Sequence, residues 1–364
     1  MLLFNNLIRF CSVMGFVAIM AGCDLSAPTH QGDNSKIPSN MTPVSYSALP
    51  SWRDDDVRYA LQAFRNTCKA KIQYTGSVIP DPELLREKCN MLPSSSADVK
   101  TVRAWFESNF QPYQVYNEKG GKTGTYTGYY SPVINGCRTR TANCNEPIMG
   151  VPINGANYKG VSKRDIVNKK IGRVLYWANI VDVQNLQIQG SGMLKLDDGT
   201  MVKLNFAAVN DMPFKSIGAQ LQERGIKPAG GYSADAVWTH LKQNPTLAKE
   251  VIYNNPRYVY FYESKEHNVV GKLGTPLSKI RSVAMDDSIY TLGLPVYINT
   301  SLSDGRSFNR LMIAQDTGGA IRGWIRADIF FGSGDAAYAT AHGQHAQGQM
   351  FILMPKEYSY VKPR

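Results

Sequence analysis

The chain has 364 residues, with 40 Lys and Arg against 29 Asp and Glu, and its formal net charge is +11. A hydrophobic fraction of 43% and a charged fraction of 19% exclude a disordered tail, a collagen-like repeat and a disulfide miniprotein. The positive charge is spread along the chain without a run of five or more Lys or Arg, so we expect no nucleic-acid partner. The length allows two domains of about 150 residues, or one larger domain with insertions.

Residues 1–22 have the features of a secretory signal peptide. Arg9 precedes an apolar stretch from Phe10 to Ala21, which at about 12 residues is too short to cross a bilayer. Small residues then precede Cys23, in a pattern that resembles the cleavage and lipidation site of bacterial lipoproteins. We therefore expect Cys23 to carry the lipid that anchors the protein to a membrane; the alternative is an ordinary signal peptide with an incidental cysteine.

The first residues of the mature chain predict where the protein is held. Asp24 resembles a signal that keeps some lipoproteins in the inner membrane. Residues 23–50 are predicted to be a flexible tether, since the chain from 26 to 50 is rich in Ser, Pro, Thr and Asn.

The remaining cysteines are Cys68, Cys89, Cys137 and Cys144. An even number in an oxidising compartment predicts two disulfides, and proximity favours Cys68–Cys89 and Cys137–Cys144 among three connectivities. Metal binding is the competing use of cysteine. The chain has no Cys-x-x-Cys pair, however, and the close histidines His342 and His345 lie in a Gly/Gln-rich segment. We expect no metal and no cofactor.

The first half of the mature chain is predicted to pass from helices to strands. Apolar residues three or four apart predict amphipathic helices over 54–72 and 98–110. From 121 onward Gly, Thr and Tyr alternate in a β-type pattern. A further pair of strands is predicted over 185–206, bent by Gly190 and Gly192.

The second half is predicted to return to strands after a helical segment. Helices are expected over 213–224, 233–243 and 245–253, with Ser233 as the N-cap of the second. Strands resume after Pro256, including one over 258–262. The order of elements predicts a mainly β fold with α (α+β), in which one β-rich domain interrupts another.

Two aspartates near the C-terminus are the strongest candidates for chemistry. Asp316 ends an apolar strand and is followed by a tight Thr-Gly-Gly turn, which exposes a carboxylate. Asp328 lies among apolar residues, so we expect a raised pKa, as a general acid needs. The alternative for each is a turn or strand-end carboxylate bonded to backbone amides. An internally duplicated aspartic protease is excluded, because the chain has no second Asp-Ser/Thr-Gly motif.

Several stretches together resemble one known family. They are Thr127–Val133, Gln189–Gly192, Ser216–Gly218 before Arg224-Gly225, Ser282–Asp286, Thr291–Tyr297, Asp316–Gly323 and Asp328. Their order resembles the membrane-bound lytic transglycosylase A family of peptidoglycan-cleaving lipoproteins, over roughly residues 55 to 355. The segments from Ser282 onward resemble its three-aspartate (3D) domain.

The resemblance implies a fold and a domain plan. A double-psi β-barrel with peripheral helices would be formed by 51–132 plus 268–364 and interrupted by a smaller β-rich domain over 133–267. Glycan would bind in the cleft between the two, as is common at domain interfaces. The proposed lining residues are Thr127, Tyr129, Tyr130, Gln189, Gly190, Ser191, Gly318 and Gly319, where packing is the alternative role for the tyrosines.

The resemblance also implies a mechanism, that of an exotransglycosylase. Asp328 would protonate the glycosidic oxygen between N-acetylmuramic acid and N-acetylglucosamine, and then take the proton of the muramyl 6-hydroxyl as it attacks C1. The product is 1,6-anhydromuramic acid. Because the nucleophile belongs to the substrate, no second catalytic carboxylate is required. Asp316 would orient the site or stabilise positive charge, and Asp286 would be structural.

A different class of function is a non-catalytic lipoprotein that binds cell-wall polysaccharide through a double-psi barrel. Fold alone does not separate the two, but an intact Asp328 and Asp-Thr-Gly-Gly favour the enzyme. The expected partners are peptidoglycan strands and, through the lipid, a membrane; the expected state is a monomer. The expected location is the periplasmic side of the bacterial cell envelope, at the outer membrane by resemblance or at the inner membrane because of Asp24.

Overall fold

The computed structural model of the chain describes residues 38–70, 82–265 and 268–358. The predicted signal peptide, Cys23, Asp24 and most of the predicted tether lie outside these residues. The described part contains two β-sheets and nine α-helices. It is a mixed α+β fold in which strands predominate, as the sequence predicts.

The helices are α1 (Arg58–Thr67), α2 (Pro82–Asn90), α3 (Val99–Asn109), α4 (Lys163–Asn168), α5 (Ile180–Gln189), α6 (Ile217–Glu223), α7 (Ala234–Gln243), α8 (Pro245–Tyr253) and α9 (Gly334–Ala341). The strands before the second half of the chain are β1 (Met41–Pro43), β2 (Phe110–Val115), β3 (Gly124–Ser131), β4 (Val133–Cys137), β5 (Glu146–Gly150) and β6 (Arg173–Ala178). The others are β7 (Gly192–Leu196), β8 (Met201–Val209), β9 (Val259–Ser264), β10 (Ser282–Met285), β11 (Pro295–Ser301), β12 (Ser307–Asp316), β13 (Arg326–Ser333) and β14 (His345–Pro355).

The larger sheet closes into a barrel through its longest strand, β14. Its strand order is β1-β2-β14-β11-β12-β10-β13-β3, and β14 also pairs with β3. Six strands from β14 to β3 therefore form a closed ring, and β2 and β1 extend it on one side. The core of the barrel is aliphatic and aromatic, with Tyr126, Val283, Leu311 and Ile352 fully buried.

Two glycines allow this closure. Gly348 of β14 and Gly124 of β3 are register partners at the end of their pairing. A Cβ at Gly124 would collide with the carbonyl of Ile325, and one at Gly348 would collide with the carbonyl of Asn299. Both positions therefore need a residue without a side chain, because backbones approach closely there.

The second sheet is inserted between two strands of the barrel. It is built from residues 133–264 in the order β5-β6-β4-β7-β8-β9. Because β3 and β13 pair in parallel, the connection between them must be a long crossover, and this sheet forms most of it. One hydrophobic cluster packs against the sheet and another joins α5, α6, α7 and α8.

The structure confirms two predicted helix starts, and Ser233 is the one that the sequence predicts as an N-cap. The side chain of Asp98 accepts a hydrogen bond from the backbone N–H of Thr101 at 2.7 Å, and α3 begins directly after it. Ser233 caps α7 in the same way, through the N–H of Ala236. The predicted helix over 54–72 is shorter in the structure, where α1 ends at Thr67. Residues 71 and 72 lie outside the described part.

One strand prediction is wrong. Residues 185–189, expected at the start of a strand pair, form the last turns of α5, and only β7 and β8 are strands in that region. Asn179 caps the helix through the N–H of Val181, and buried Val183 and Leu186 have helical spacing. Gly190 then ends the helix in the left-handed conformation, at φ 76°.

Two disulfides are present. Cys68–Cys89 joins the end of α1 to α2, with 5.5 Å between the Cα atoms. Cys137–Cys144 closes the loop that follows β4, with 6.1 Å between the Cα atoms.

Candidate active site

Strand β10 brings the two candidate aspartates together. Ala284 of β10 pairs with Asp316 of β12 on one side and with Asp328 of β13 on the other. Adjacent strands lie about 4.8 Å apart, so the backbones that carry the two carboxylates are roughly 10 Å apart. Asp316 and Asp328 are separated by a loop in the sequence, but both lie at one end of the barrel.

One face of β3 holds both carboxylates. Thr127 is the register partner of Asp328, and its Oγ1 donates a hydrogen bond to Asp328 Oδ1 at 2.7 Å. Two residues along the same strand, Tyr129 donates its hydroxyl proton to Asp316 Oδ2 at 2.9 Å. Side chains two apart on a strand share a face, which explains why one short segment reaches both groups.

Asp328 has the electrostatics of an acid that titrates close to neutral pH. Its side chain is partly exposed although protein surrounds it densely, as expected for a group in a recess. Burial raises its pKa to about 6, and the charge of Asp316 adds to the rise. The hydrogen bond from Thr127 and the positive charge of Arg326 oppose it. Such a group is protonated in a fraction of molecules at neutral pH, so it can both donate and accept a proton.

Burial also raises the pKa of Asp316. Its Oδ1 accepts hydrogen bonds from the backbone N–H of Lys272 at 2.9 Å and of Thr317 at 3.0 Å. These bonds and that from Tyr129 favour the ionised form and moderate the rise. Asp316 is therefore held in place by three donors, whereas Asp328 is held by one side-chain donor.

Asp286, which follows β10, is nearly buried and accepts several hydrogen bonds. Its side chain is 4% exposed and pairs with Arg322 at 2.8 Å. It also accepts bonds from the N–H of Gly323 at 2.8 Å and from the N–H and hydroxyl of Ser288. Burial alone would raise the pKa of Asp286, but these bonds outweigh it and the pKa lies below the ordinary value.

The two adjacent tyrosines have different surroundings. Tyr129 stacks on Phe330, with 5.2 Å between ring centroids, and stays partly exposed beside the aspartates. Tyr130, on the other face of β3, is 8% exposed and accepts a hydrogen bond from Asn185 Nδ2 at 3.0 Å. The burial of Tyr130 fits the alternative role for the tyrosines, which is packing, better than it fits a position on the wall of a glycan groove.

The predicted segment from Gln189 to Ser191 lies at the junction of α5 and β7. Gln189 accepts a hydrogen bond from the backbone N–H of Tyr130 at 3.3 Å, and Ser191 is 6% exposed. These contacts join the inserted sheet to β3. A role of Gln189, Gly190 and Ser191 in substrate binding stays a prediction.

Two arginines near this end of the barrel are not among the residues predicted from the sequence. Arg326 precedes Asp328 by two positions on β13, so strand alternation would have placed it on the same face. Arg257, just before β9, reaches the predicted turn after Asp316, because a Cβ at Gly319 would lie 3.5 Å from its Nη2. No local pattern signals Arg257, since only the fold brings it to Gly319. Gly318, the other predicted glycine, is less exposed than Gly319.

Neither a metal centre nor a spanning helix is found in the described ranges. Within 38–70, 82–265 and 268–358, no group of three His, Cys, Asp or Glu side chains could hold a metal ion. His342 instead lies 3.1 Å from Asp235. In the same ranges, every helix is too short or too polar to cross a membrane.

Several known proteins are similar to this chain in sequence or in structure. Membrane-bound lytic murein transglycosylase A of Vibrio cholerae is 31% identical over 245 residues, which cover 62% of this chain and 65% of that protein. A crystal structure of a membrane-bound lytic murein transglycosylase from Agrobacterium tumefaciens has a TM-score of 0.77 and 26% identity, covering 88% of this chain and 100% of that one. The lytic transglycosylase LtgG of Burkholderia pseudomallei is 32% identical, with a TM-score of 0.59, over 88% of this chain and 96% of that chain.

A closed barrel that carries three aspartates and is interrupted by a second sheet defines a 3D-domain protein with an insert. The profile described as 3D domain matches residues 281–354, and that described as MltA specific insert domain matches 125–262. The chain belongs to the membrane-bound lytic murein transglycosylase A (MltA) family. It spans 65% of the length of the Vibrio relative.

Proposed function

We propose that this chain is a lytic transglycosylase that cleaves the β-1,4 bond between N-acetylmuramic acid and N-acetylglucosamine in peptidoglycan. The observation that carries the proposal is the environment of Asp328, a partly exposed carboxyl group with a pKa raised to about 6. The names of its relatives support the substrate and the reaction.

The first step is protonation of the leaving group. Protonated Asp328 donates its proton to the glycosidic oxygen, the bond from C1 of the muramyl residue to that oxygen breaks, and N-acetylglucosamine leaves with a hydroxyl group. Positive charge develops at C1 and the ring oxygen. Asp316, whose three donors favour its ionised form, stabilises this charge.

The second step restores the acid. The Asp328 carboxylate takes the proton of the muramyl 6-hydroxyl, and the 6-oxygen attacks C1 to close the 1,6-anhydro ring. One proton has moved from Asp328 to the leaving group and one has returned, so no water is consumed. Thr127 holds Asp328 through one hydrogen bond and leaves Oδ2 available for both transfers.

The proposal places the glycan between two domains, one formed by 51–132 plus 268–364 and the other by 133–267. Support comes from residues of the crossover that approach the aspartates, above all Arg257 beside Gly319. Thr127, Tyr129, Gly318 and Gly319 then line the subsites next to the cleaved bond. Acylation of Cys23 would hold the protein in the cell envelope, in keeping with its membrane-bound relatives.

Product analysis tests the proposal. Purified peptidoglycan sacculi are incubated with the full-length protein, and the released fragments are reduced with borohydride and analysed by mass spectrometry. A transglycosylase releases anhydromuramic ends, which are one water lighter than hydrolytic ends and resist reduction. Reducing ends alone would contradict the mechanism. Protein that pellets with the sacculi and releases nothing would instead indicate a wall-binding module.

A further inference from the structure

A second recess lies in the inserted region, away from the three aspartates. Its volume is about 1010 Å³, and it is lined by β5, β6, the start of α5 and the helices α7 and α8. The helix α5 connects it to the active-site region, since Ile180 at its first turn lines the recess and Gln189 at its end contacts Tyr130. A helix of this length spans about 15 Å.

The lining of this recess is strongly cationic. Five cations line it, against two acids; the cations are Arg140, Arg164, Lys170, Lys242 and Lys249, and the acids are Glu146 and Glu250. Glu250 already pairs with Arg224, and Lys242 pairs with Asp182, each at 2.7 Å. The four other cations form no ion pair within 4 Å with another described residue, although the charges of Arg140 and Lys249 act on Glu146.

Aromatic side chains support two of these cations. The guanidinium of Arg140 lies 5.9 Å from the ring centroid of Trp177, and that of Arg164 lies 5.3 Å from that of Tyr253. Both rings are partly buried and both line the recess. A guanidinium positioned by a ring keeps its N–H groups for a carboxylate, which it can bind through two parallel hydrogen bonds.

The deepest acid does not cancel this charge. Glu146 is 4% exposed, and its Oε2 accepts a hydrogen bond from the hydroxyl of Tyr253 at 2.8 Å. Burial raises the pKa of Glu146, against the opposing effects of the hydrogen bond from Tyr253 and of the charges of Lys163, Lys249 and Arg140. The recess therefore combines cations, two aromatic walls and an acid whose ionisation is disfavoured by burial.

We infer that this recess binds a peptide through its carboxylates, namely the stem peptide attached to muramic acid. The inference rests on the proposed function for the identity of the ligand. Four extended residues span about 14 Å, similar to the length of α5, so a peptide from a bound muramyl residue has the required reach. A membrane surface is the other anionic candidate, but a concave recess lined by aromatic rings suits a peptide better.

Binding of a synthetic stem tetrapeptide with free carboxylates tests the inference. Calorimetry is performed with the full-length protein in detergent, and the same peptide with amidated carboxylates serves as comparison. We expect amidation to weaken binding about tenfold or more, since hydrogen bonds to charged groups carry most of the affinity. The double variant Arg140→Gln/Arg164→Gln should lose affinity for the charged peptide by a similar factor and bind the amidated one as wild type does.

Arg138→Gln is the matched control, because Arg138 is exposed, pairs with Asp198 and does not line the recess. It should leave the Kd unchanged, and all variants should keep the thermal midpoint of wild type. Equal affinity of wild type and the double variant for the charged peptide would overturn the inference. The inference would also be overturned if the protein bound vesicles of anionic phospholipid but not the peptide, and if the double variant lost the binding to vesicles. Peptide binding without release of anhydro product would contradict only the proposed function.

Discussion

Asp328 and Asp286 lie on or beside two paired strands but have opposite environments. Asp286 accepts bonds from two backbone N–H groups, a hydroxyl and a guanidinium, and its pKa is lowered. Asp328 accepts one bond from Thr127, and its pKa is raised to about 6. At Asp328 the effect of burial exceeds that of its one bond, whereas at Asp286 the bonds, one of them from a guanidinium, outweigh burial. The proposed mechanism assigns proton transfer to Asp328, whose carboxylate has one side-chain donor, and not to Asp286.

The largest effect is expected from Asp328→Asn. The amide keeps the volume and can still accept the bond from Thr127, but it has no proton to transfer. Release of anhydro product from sacculi should fall by about 10² to 10⁴, the range for loss of a general acid and base. Asp287→Asn, the control, removes a nearby carboxylate that pairs only with the exposed Arg322 and should retain nearly full activity. Near-normal turnover in Asp328→Asn would assign the chemistry to another residue.

Asp286→Ala should act on stability instead. It leaves the N–H of Gly323 and part of Arg322 without their acceptor, so the free energy of unfolding should fall by about 2 kcal/mol. Because the pKa of Asp286 is lowered in the folded state, its contribution is present at neutral pH and is lost as the pH falls through that lowered pKa. Urea denaturation at pH 7 and in acid should therefore show that the difference in free energy of unfolding between wild type and Asp286→Ala is smaller in acid. If Asp286→Ala were fully folded and still lost most of its turnover, Asp286 would take part in catalysis.

A smaller effect is expected from Thr127→Val. In the proposed mechanism protonated Asp328 is the active form, so the activity of wild type should decline as the pH rises through about 6. The bond from Thr127 lowers the pKa of Asp328, and its removal should move this decline to higher pH. At a pH well below 6, where Asp328 is protonated in both proteins, turnover should fall about threefold to tenfold, the value of one hydrogen bond. Thr125→Val, on the same face of β3 and bonded to Gln347, should leave the pH profile of kcat/KM unchanged. An unshifted profile in Thr127→Val would mean that the bond does not tune Asp328.

The sequence predicts much of this site because its signals are local. Apolar residues around Asp328 indicate a raised pKa, and the Thr-Gly-Gly turn indicates an accessible Asp316. Ser233 marks the start of a helix, since its side chain and an amide three residues away suffice to form the cap.

Other features depend on contacts that sequence patterns do not contain. The glycines around Gln189 suggest strands, although Asn179 and buried Leu186 produce a helix in the folded chain. Arg257 reaches Gly319 only because a crossover of more than a hundred residues returns to the barrel. The cationic recess likewise combines residues from Arg140 to Tyr253 that no short motif unites.

The pKa values of the two aspartates test the account most directly, and they are measurable without substrate. Protein labelled with ¹³C at the aspartate carboxyl carbon is titrated by NMR, and Asp328→Asn and Asp286→Asn assign the two signals. We predict a midpoint of about 6 for Asp328 and one below the ordinary aspartate value for Asp286. Two signals that both titrate at the ordinary value, or a midpoint of Asp328 below that of Asp286, would contradict the division between a proton-transferring and a structural carboxylate.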